Sequence, residues 1–297
     1  MNKTSQSKLE KYLVSDHSVS FSEDIASCPI PNTPEIQANS HYFSNPVWAK
    51  IYFDACHRSA LFKQRWVAAV GSWDDQIVVD IGCGPGNLYA NLGGTPKLLI
   101  GVDIARGSLV MAEQIGYTPL LADAHELPLV SGFADVVAIN ASLHHCEDMP
   151  KVLAEAARLV RPDGLLVVDH DPQLSAWNYK GLGMLLYKMR LSLIYRFFLR
   201  NLYVPDEERT QALATEVHHH PGAGVTPELF AEVLKPLGFT VKLYPHNNNI
   251  GADALAGDMG NPPHWRYRAG QWLSGINPYS PEAALSLMCV AVRQSST

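Results

Sequence analysis

Residues 78–87 read Val78-Val79-Asp80-Ile81-Gly82-Cys83-Gly84-Pro85-Gly86-Asn87. A short run rich in β-branched residues, Gln76 to Ile81, passes directly into three alternating glycines. β-Branched side chains suit strands. Glycine permits a tight turn and lets a ligand come close to the backbone, because no Cβ intervenes. The stretch therefore predicts a strand that ends in a ligand-binding turn, with a helix from Asn87 to Leu92.

The same alternation continues outward. Lys97 to Val102, Thr118 to Leu121, Ala134 to Asn140 and Leu165 to Asp169 are further short apolar runs. Ala105 to Gln114 and Asp148 to Val160 have helical patterns between them. In the second, Met149, Val152, Leu153, Ala156 and Val160 fall on one face. Asp148 and Pro150 open that helix, and Arg161-Pro162-Asp163-Gly164 breaks it. Short apolar strands alternating with helices predict an α/β fold, a mostly parallel, doubly wound sheet covered on both faces. Ligands of such sheets lie beyond the carboxyl ends of the strands, so the residues ending each run are the candidates.

The flanks are less regular. Residues 1–45 are polar and rich in Ser and Pro, and read as an N-terminal extension to a domain spanning 46–297. Pro46 to Val70 suits one or two helices, with Trp48, Ile51, Leu61, Phe62 and Trp66 as apolar members. The core is expected over 76–171, a lid insertion over 172–225, and a C-terminal helix, two strands and a substrate insert over 226–297. Gly181 to Asn201 is apolar and basic, and reads as a core or dimer helix, a lid, or a membrane-touching helix. Thr226-Pro227-Glu228 opens a helix, and Phe239 to Tyr244 and Ser286 to Val292 read as late strands.

Composition narrows the function. The chain has 297 residues, 47% hydrophobic and 18% charged, as in ordinary globular enzymes. Its net charge of −6 does not suit a nucleic-acid binder. Five scattered cysteines without a CxxC exclude a zinc site or a disulfide framework from the expectation. There is no apolar leader and no stretch of about 18 apolar residues, so a soluble cytoplasmic protein without integral membrane contact is expected.

The residue after the last glycine separates nucleotide ligands. A dinucleotide turn reads GxGxxG, whereas here Asn87 occupies the third glycine's place. Asp80 lies two residues before the first glycine, where a carboxylate would repel a pyrophosphate but can hold a cationic aminoacyl group. Asp103 ends the second run, 21 residues after Gly82, where an acid can bind both ribose hydroxyls. Asp123 follows the third run in Leu121-Ala122-Asp123-Ala124.

With these features the chain resembles the class I S-adenosylmethionine-dependent methyltransferases, whose first motif reads DxGxGxG, and within them the small-molecule enzymes that include quinone-biosynthesis methyltransferases. The likeness covers about residues 76 to 171. It rests also on Pro128, on Phe133 to Val137, on Asn140-Ala141-Ser142-Leu143-His144-His145, and on Arg158 to Gly164, where Asp163 replaces a family glycine. It implies a Rossmann-like seven-stranded sheet with an antiparallel last strand. It implies S-adenosylmethionine as cofactor, held by Asp80, Gly82, Cys83, Gly84, Gly86, Asn87, Asp103, Ile104, Asp123, Ala124 and Asn140. In the resembled family the acid at Asp123 faces the adenine amino group and the amide of Ala124 lies on the ring.

The expected reaction moves a methyl group to O, N or C of a small molecule. Alignment of nucleophile, methyl and sulfur supplies much of the acceleration, and a base is needed only where the acceptor must lose a proton. His144 and His145, after the fourth run, are the candidate bases. Tyr42, His219, His246 and Trp265 are candidate substrate contacts. His218-His219-His220 cannot all face one metal from regular structure, so no metal is expected. Asn261-Pro262-Pro263-His264 resembles an amino-methylating motif but lies about 120 residues past the required strand, and reads as a turn. The alternatives are a cofactor-binding domain with another role and a nicotinamide dehydrogenase. A homodimer is compatible with the 181–201 helix.

Overall fold

The computed structural model describes residues 3–15, 18–22, 25–189 and 221–295. The expectations for Arg190 to Asn201 and for His218 to His220, including His219 as a substrate contact, lie outside the described residues.

In chain order the helices are α1 (Lys3–Glu10), α2 (Pro34–Phe43), α3 (Pro46–Tyr52), α4 (Ala60–Val70), α5 (Asn87–Leu92), α6 (Arg106–Gln114) and α7 (Met149–Leu159). The short α8 (Leu174–Trp177), α9 (Gly181–Met189), α10 (Pro227–Leu234) and α11 (Trp265–Leu273) follow. The strands are β1 (Ser20–Ser22), β2 (Ile25–Ser27), β3 (Ile77–Ile81), β4 (Leu98–Asp103), β5 (Thr118–Leu121), β6 (Ala134–Asn140), β7 (Val160–Asp169), β8 (Phe239–His246) and β9 (Ser286–Arg293).

They form one sheet in the order β1-β2-β5-β4-β3-β6-β7-β9-β8. From β2 to β7 the neighbours are parallel; β9 runs antiparallel to both β7 and β8. The doubly wound order expected from the sequence is present. Among the described residues the sheet has nine strands rather than seven, because β1 and β2, from the segment read as an extension, add an edge. Ala26 and Ser27 of β2 pair with Leu120 and Leu121 of β5. Chain order leaves β3 toward β5 on one side and toward β7 on the other. The glycine turn after β3 therefore sits at the topological switch point, where such sheets open a crevice.

Period-2 alternation sorts the strand residues into two layers. Val79, Ile81, Ile100, Val102, Val137 and Ile139 pack with α7 and α10 on one face. Val78, Leu99, Val136 and Val167 pack with Phe62 and Trp66 of α4, Leu88 of α5 and Leu109 of α6 on the other. Helix ends follow their caps: Asp148 accepts from the Lys151 amide (3.0 Å) and Thr226 from the Leu229 amide (3.1 Å). Asp163, in place of the family glycine, has a φ of +61°, the left-handed region that glycine suits.

A fully buried ion network ties the C-terminal half to the sheet. Arg65 of α4 donates to Asp169 at the end of β7 (2.9 Å) and to the Ile250 carbonyl (2.8 Å). His246 Nε2 lies 2.7 Å from the other Asp169 oxygen. The Asn248 amide donates to His246 Nδ1 (3.1 Å), so Nε2 carries the ring proton and donates to Asp169. Burial pushes the Asp169 carboxyl up, but Arg65 and His246 beside it hold it well below the usual carboxylate range.

The described part of the 181–201 stretch is α9. It packs on α11, where Gly183 lies against the Gly270 carbonyl and Ser274. Leu182 and Leu185 are exposed, as are Trp265 and Trp272 of α11. Among the described residues, no helix is long and apolar enough to cross a membrane.

Candidate cofactor and active site

The turn after β3 is held from β4. The amides of Gly82 and Cys83 both donate to the Val102 carbonyl (2.8 and 3.1 Å), and the Gly86 amide closes the turn on the Cys83 carbonyl (3.0 Å). Gly82 has a φ of +69°, and a Cβ there would stand 2.4 Å from Ser142 Cβ. Gly84 has a φ of +54°, yet its missing Cβ points into open space. One glycine is required by packing, the other opens onto a cavity.

Asp103 binds the turn to the next helix. Its Oδ2 accepts the Gly84 amide and its Oδ1 the Ala105 amide, each at 2.8 Å. Burial pushes its carboxyl up, and those amides oppose the shift. Asp80 shares its sheet face with Val78 and is 1% exposed. Its Oδ2 accepts from the Tyr117 phenol at 2.7 Å. Tyr117 fits because Gly101 beneath it lacks a Cβ, which would lie 2.6 Å from the ring. Burial pushes the Asp80 carboxyl up to about 7; the Tyr117 hydrogen bond pulls against this, and the nearby Asp103 charge adds to it.

Above these residues lies a cavity of about 500 Å³. All the expected cofactor residues line it except Gly86, whose missing Cβ faces Ile115 and Tyr117 instead. Asp80, Asp103 and Asp123 place three carboxyl groups on its wall, and Lys151 is the only Lys or Arg among the described lining residues.

The two candidate bases separate. His145 lines the cavity, and its ring meets Phe43 edge-on at 5.2 Å. His144 does not line it. Its amide (3.0 Å) and its Nδ1 (2.7 Å) both engage Asp171 Oδ1, and its ring packs 4.0 Å from that of His145. Burial pushes the Asp171 carboxyl up to about 7, against the His144 amide and the His145 charge.

The candidate substrate contacts from the C-terminal half are elsewhere. His246 is spent on Asp169, and Trp265 sits exposed on α11; neither lines the cavity. Tyr42 does not line it either, while its neighbour Phe43 does.

The far wall comes from residues the sequence reading passed over: Thr33, Ile36, Asn39 and Phe43 of the α2 region, and His57. Thr33 caps α2 by accepting from the Ile36 amide (3.3 Å), with Pro34 next, so a cap-and-proline signal for this helix was present. Ser108 donates to the Phe43 carbonyl (2.5 Å), which seats α2 on the start of α6. His57 ends a π-helical turn, Phe53–His57, and its Nε2 lies 2.7 Å from Asn140 Nδ2. Asn140 Oδ1 is buried with no hydrogen-bond partner. No periodicity pointed to His57.

Comparison with known proteins agrees with this geometry. Residues 79–168 match the model of a family described as a methyltransferase domain. The chain is 31% identical over 93 residues to a malonyl-[acyl-carrier protein] O-methyltransferase of Yersinia pestis, covering 31% of this chain and 35% of that protein. It is 29% identical over 142 residues to the ubiquinone/menaquinone biosynthesis C-methyltransferase UbiE of Acidiphilium cryptum, covering 41% and 56%. Matches to the first four curated relatives span between 21% and 64% of those proteins' own lengths. Among solved structures, the plantazolicin methyltransferase BamL, in complex with a triazolic desmethylPZN analog and SAH, superposes with a TM-score of 0.51 at 15% identity, covering 88% of this chain and 96% of that one. The [4+2]-cyclase SpnF superposes at 0.50 with 14% identity, covering 90% and 98%. At such identity the likeness is one of fold. Residues 79–168, which carry the switch-point crevice of the doubly wound sheet, are thus similar to a methyltransferase domain.

Proposed function

We propose that the chain binds S-adenosylmethionine in this cavity and transfers its methyl group to an O, N or C atom of a small molecule. The observation that carries this reading is the set Asp80, Asp103 and Asp123 around an open glycine turn, with Lys151 the only Lys or Arg among the described residues that line the cavity. A dinucleotide would bring its pyrophosphate toward Asp80, two residues before the first glycine, which disfavours the dehydrogenase alternative. A ligand with a cationic aminoacyl end and sugar hydroxyls suits them. Asp80 would hold the ammonium end, Asp103 the ribose hydroxyls, and Asp123 with the Ala124 amide the adenine. The cofactor supplies an activated methyl group; the protein supplies alignment and exclusion of water.

His145 is the cavity-lining candidate to take a proton where the acceptor must lose one, with His144 and Asp171 holding it in place. Lys151 lies by the Asp123 end, so the described acceptor wall, from Thr33 to His57, offers no Lys or Arg to an anionic acceptor. This favours a neutral acceptor. The free thiols of Cys28, Cys83, Cys146 and Cys289 support a reducing, cytoplasmic setting. Calorimetric titration with S-adenosylhomocysteine tests the cofactor reading: low-micromolar binding is expected, with a loss of tenfold or more in Asp103→Ala. No binding at high micromolar concentration would sink it. A second reading is that the same cavity binds the cofactor without methyl transfer. Binding with no S-adenosylhomocysteine formed from any tested acceptor class would support that one.

A further inference from the structure

The corner between β5 and α7 contains a histidine that the reading above leaves without a task. His125 lines the cavity two residues after Asp123. Its Nε2 accepts the backbone N–H of Asp148 at 3.2 Å. A ring nitrogen that accepts carries no proton, so in the neutral ring the proton is on Nδ1. Nδ1 lies 2.6 Å from Asp123 Oδ1 and donates to it. The His125 backbone N–H donates to the same oxygen at 3.0 Å.

One carboxylate oxygen therefore receives two donors from one residue, and the carboxylate plane is set. Among the described residues none donates to Oδ2, which belongs to a side chain that lines the cavity. Burial pushes the Asp123 carboxyl up, but the His125 hydrogen bonds and the Lys151 charge outweigh it and leave it below the usual range. At neutral pH the group has no proton to donate, so Oδ2 can only accept.

We infer that His125 is a positioning residue that makes Asp123 a selective acceptor for the exocyclic amino group of a 6-aminopurine. The inference rests on the cofactor reading above. A 6-aminopurine offers a donor to Oδ2. A 6-oxopurine offers a carbonyl, which would face a carboxylate with no proton between them. A site built around one hydrogen bond rejects the analogue lacking it strongly, because the buried partner is left unpaired. The bond to Asp148 serves the same end. Asp148 caps α7, so the imidazole is braced between the β5 turn and a helix terminus.

The test is calorimetric titration of the full chain with S-adenosylhomocysteine and its 6-oxo analogue, S-inosylhomocysteine. Wild type should prefer the amino compound by tenfold or more. Asn places an amide N–H where Nδ1 stands, and Gln places its amide where Nε2 stands. His125→Asn should therefore keep the preference, while His125→Ala and His125→Gln should each lower it at least fivefold. His125→Asn and His125→Ala both lose the Asp148 bond, so a purely structural role would move them together. An unchanged preference in His125→Ala, or rescue by Gln and not by Asn, overturns the inference while leaving the cofactor reading standing. Failure of wild type to bind either compound overturns both.

Discussion

Lowering the pH from 8 to 6 should weaken binding of S-adenosylhomocysteine, through Asp80. Burial raises the Asp80 carboxyl to about 7, opposed by the Tyr117 hydrogen bond and aided by the Asp103 charge. A cationic ammonium group binds the ionised carboxylate, so apparent affinity scales with the ionised fraction. With a pKa of about 7, that fraction is about nine-tenths at pH 8 and about one-tenth at pH 6. Affinity should fall about tenfold over this interval and level off above pH 8. The same shift has the opposite sign for stability of the free protein. A carboxyl raised in the folded state favours folding while protonated. Its contribution is present below the ordinary carboxylate pKa and is lost as pH rises toward 7. Asp80→Asn should flatten both dependences. Tyr117→Phe removes a donor that favours the ionised form, and should move the binding inflection up by about one pH unit. The assay is titration calorimetry at half-unit pH steps in a single buffer mixture. A wild-type affinity that is flat from pH 6 to 8, or a slope that survives in Asp80→Asn, would refute the assignment of Asp80 to the cationic end.

Two further outcomes follow from packing. Arg65→Met leaves the buried Asp169 without its cation and should cost about 3–5 kcal/mol, read as a lower urea midpoint; a loss below about 1 kcal/mol would show the network to be dispensable. Gly82→Ala should destabilise the fold by about 2 kcal/mol or more, since its Cβ meets Ser142 at a positive φ. Gly84→Ala opens into space and should cost less in stability than in S-adenosylhomocysteine affinity. Equal stability losses would contradict the turn geometry.

Much of the site was legible because its residues end strands. In a parallel sheet the ends of the apolar runs are carried to one edge, so Asp103 and Asn140, which end β4 and β6, stand there with Asp80, one residue before the end of β3, and Asp123, two residues past β5; the motif resemblance then picked them out together. What failed to show was whatever depends on a neighbour distant in the chain. His144 and His145 are equivalent as letters; only Asp171, 27 residues on, locks the first away and leaves the second on the cavity. β1 and β2 have three residues each, too few for an alternating pattern. His246 looked like a substrate contact because it is polar in an aromatic insert, but the pairing of β8 with β9 carries it onto buried Asp169.

The sequence by itself determined the doubly wound core, the glycine turn at its centre and the acids at its strand ends, since those follow from local periodicity and backbone sterics. The tertiary structure alone decided what surrounds that turn. Tyr117 reaches Asp80 across 37 residues, His57 and α2 close the cavity from a segment that reads as an appendage, and His125 sets Asp123 by a ring orientation braced on Asp148. Such partners are chosen by packing between elements, and a pattern along the chain carries no record of them.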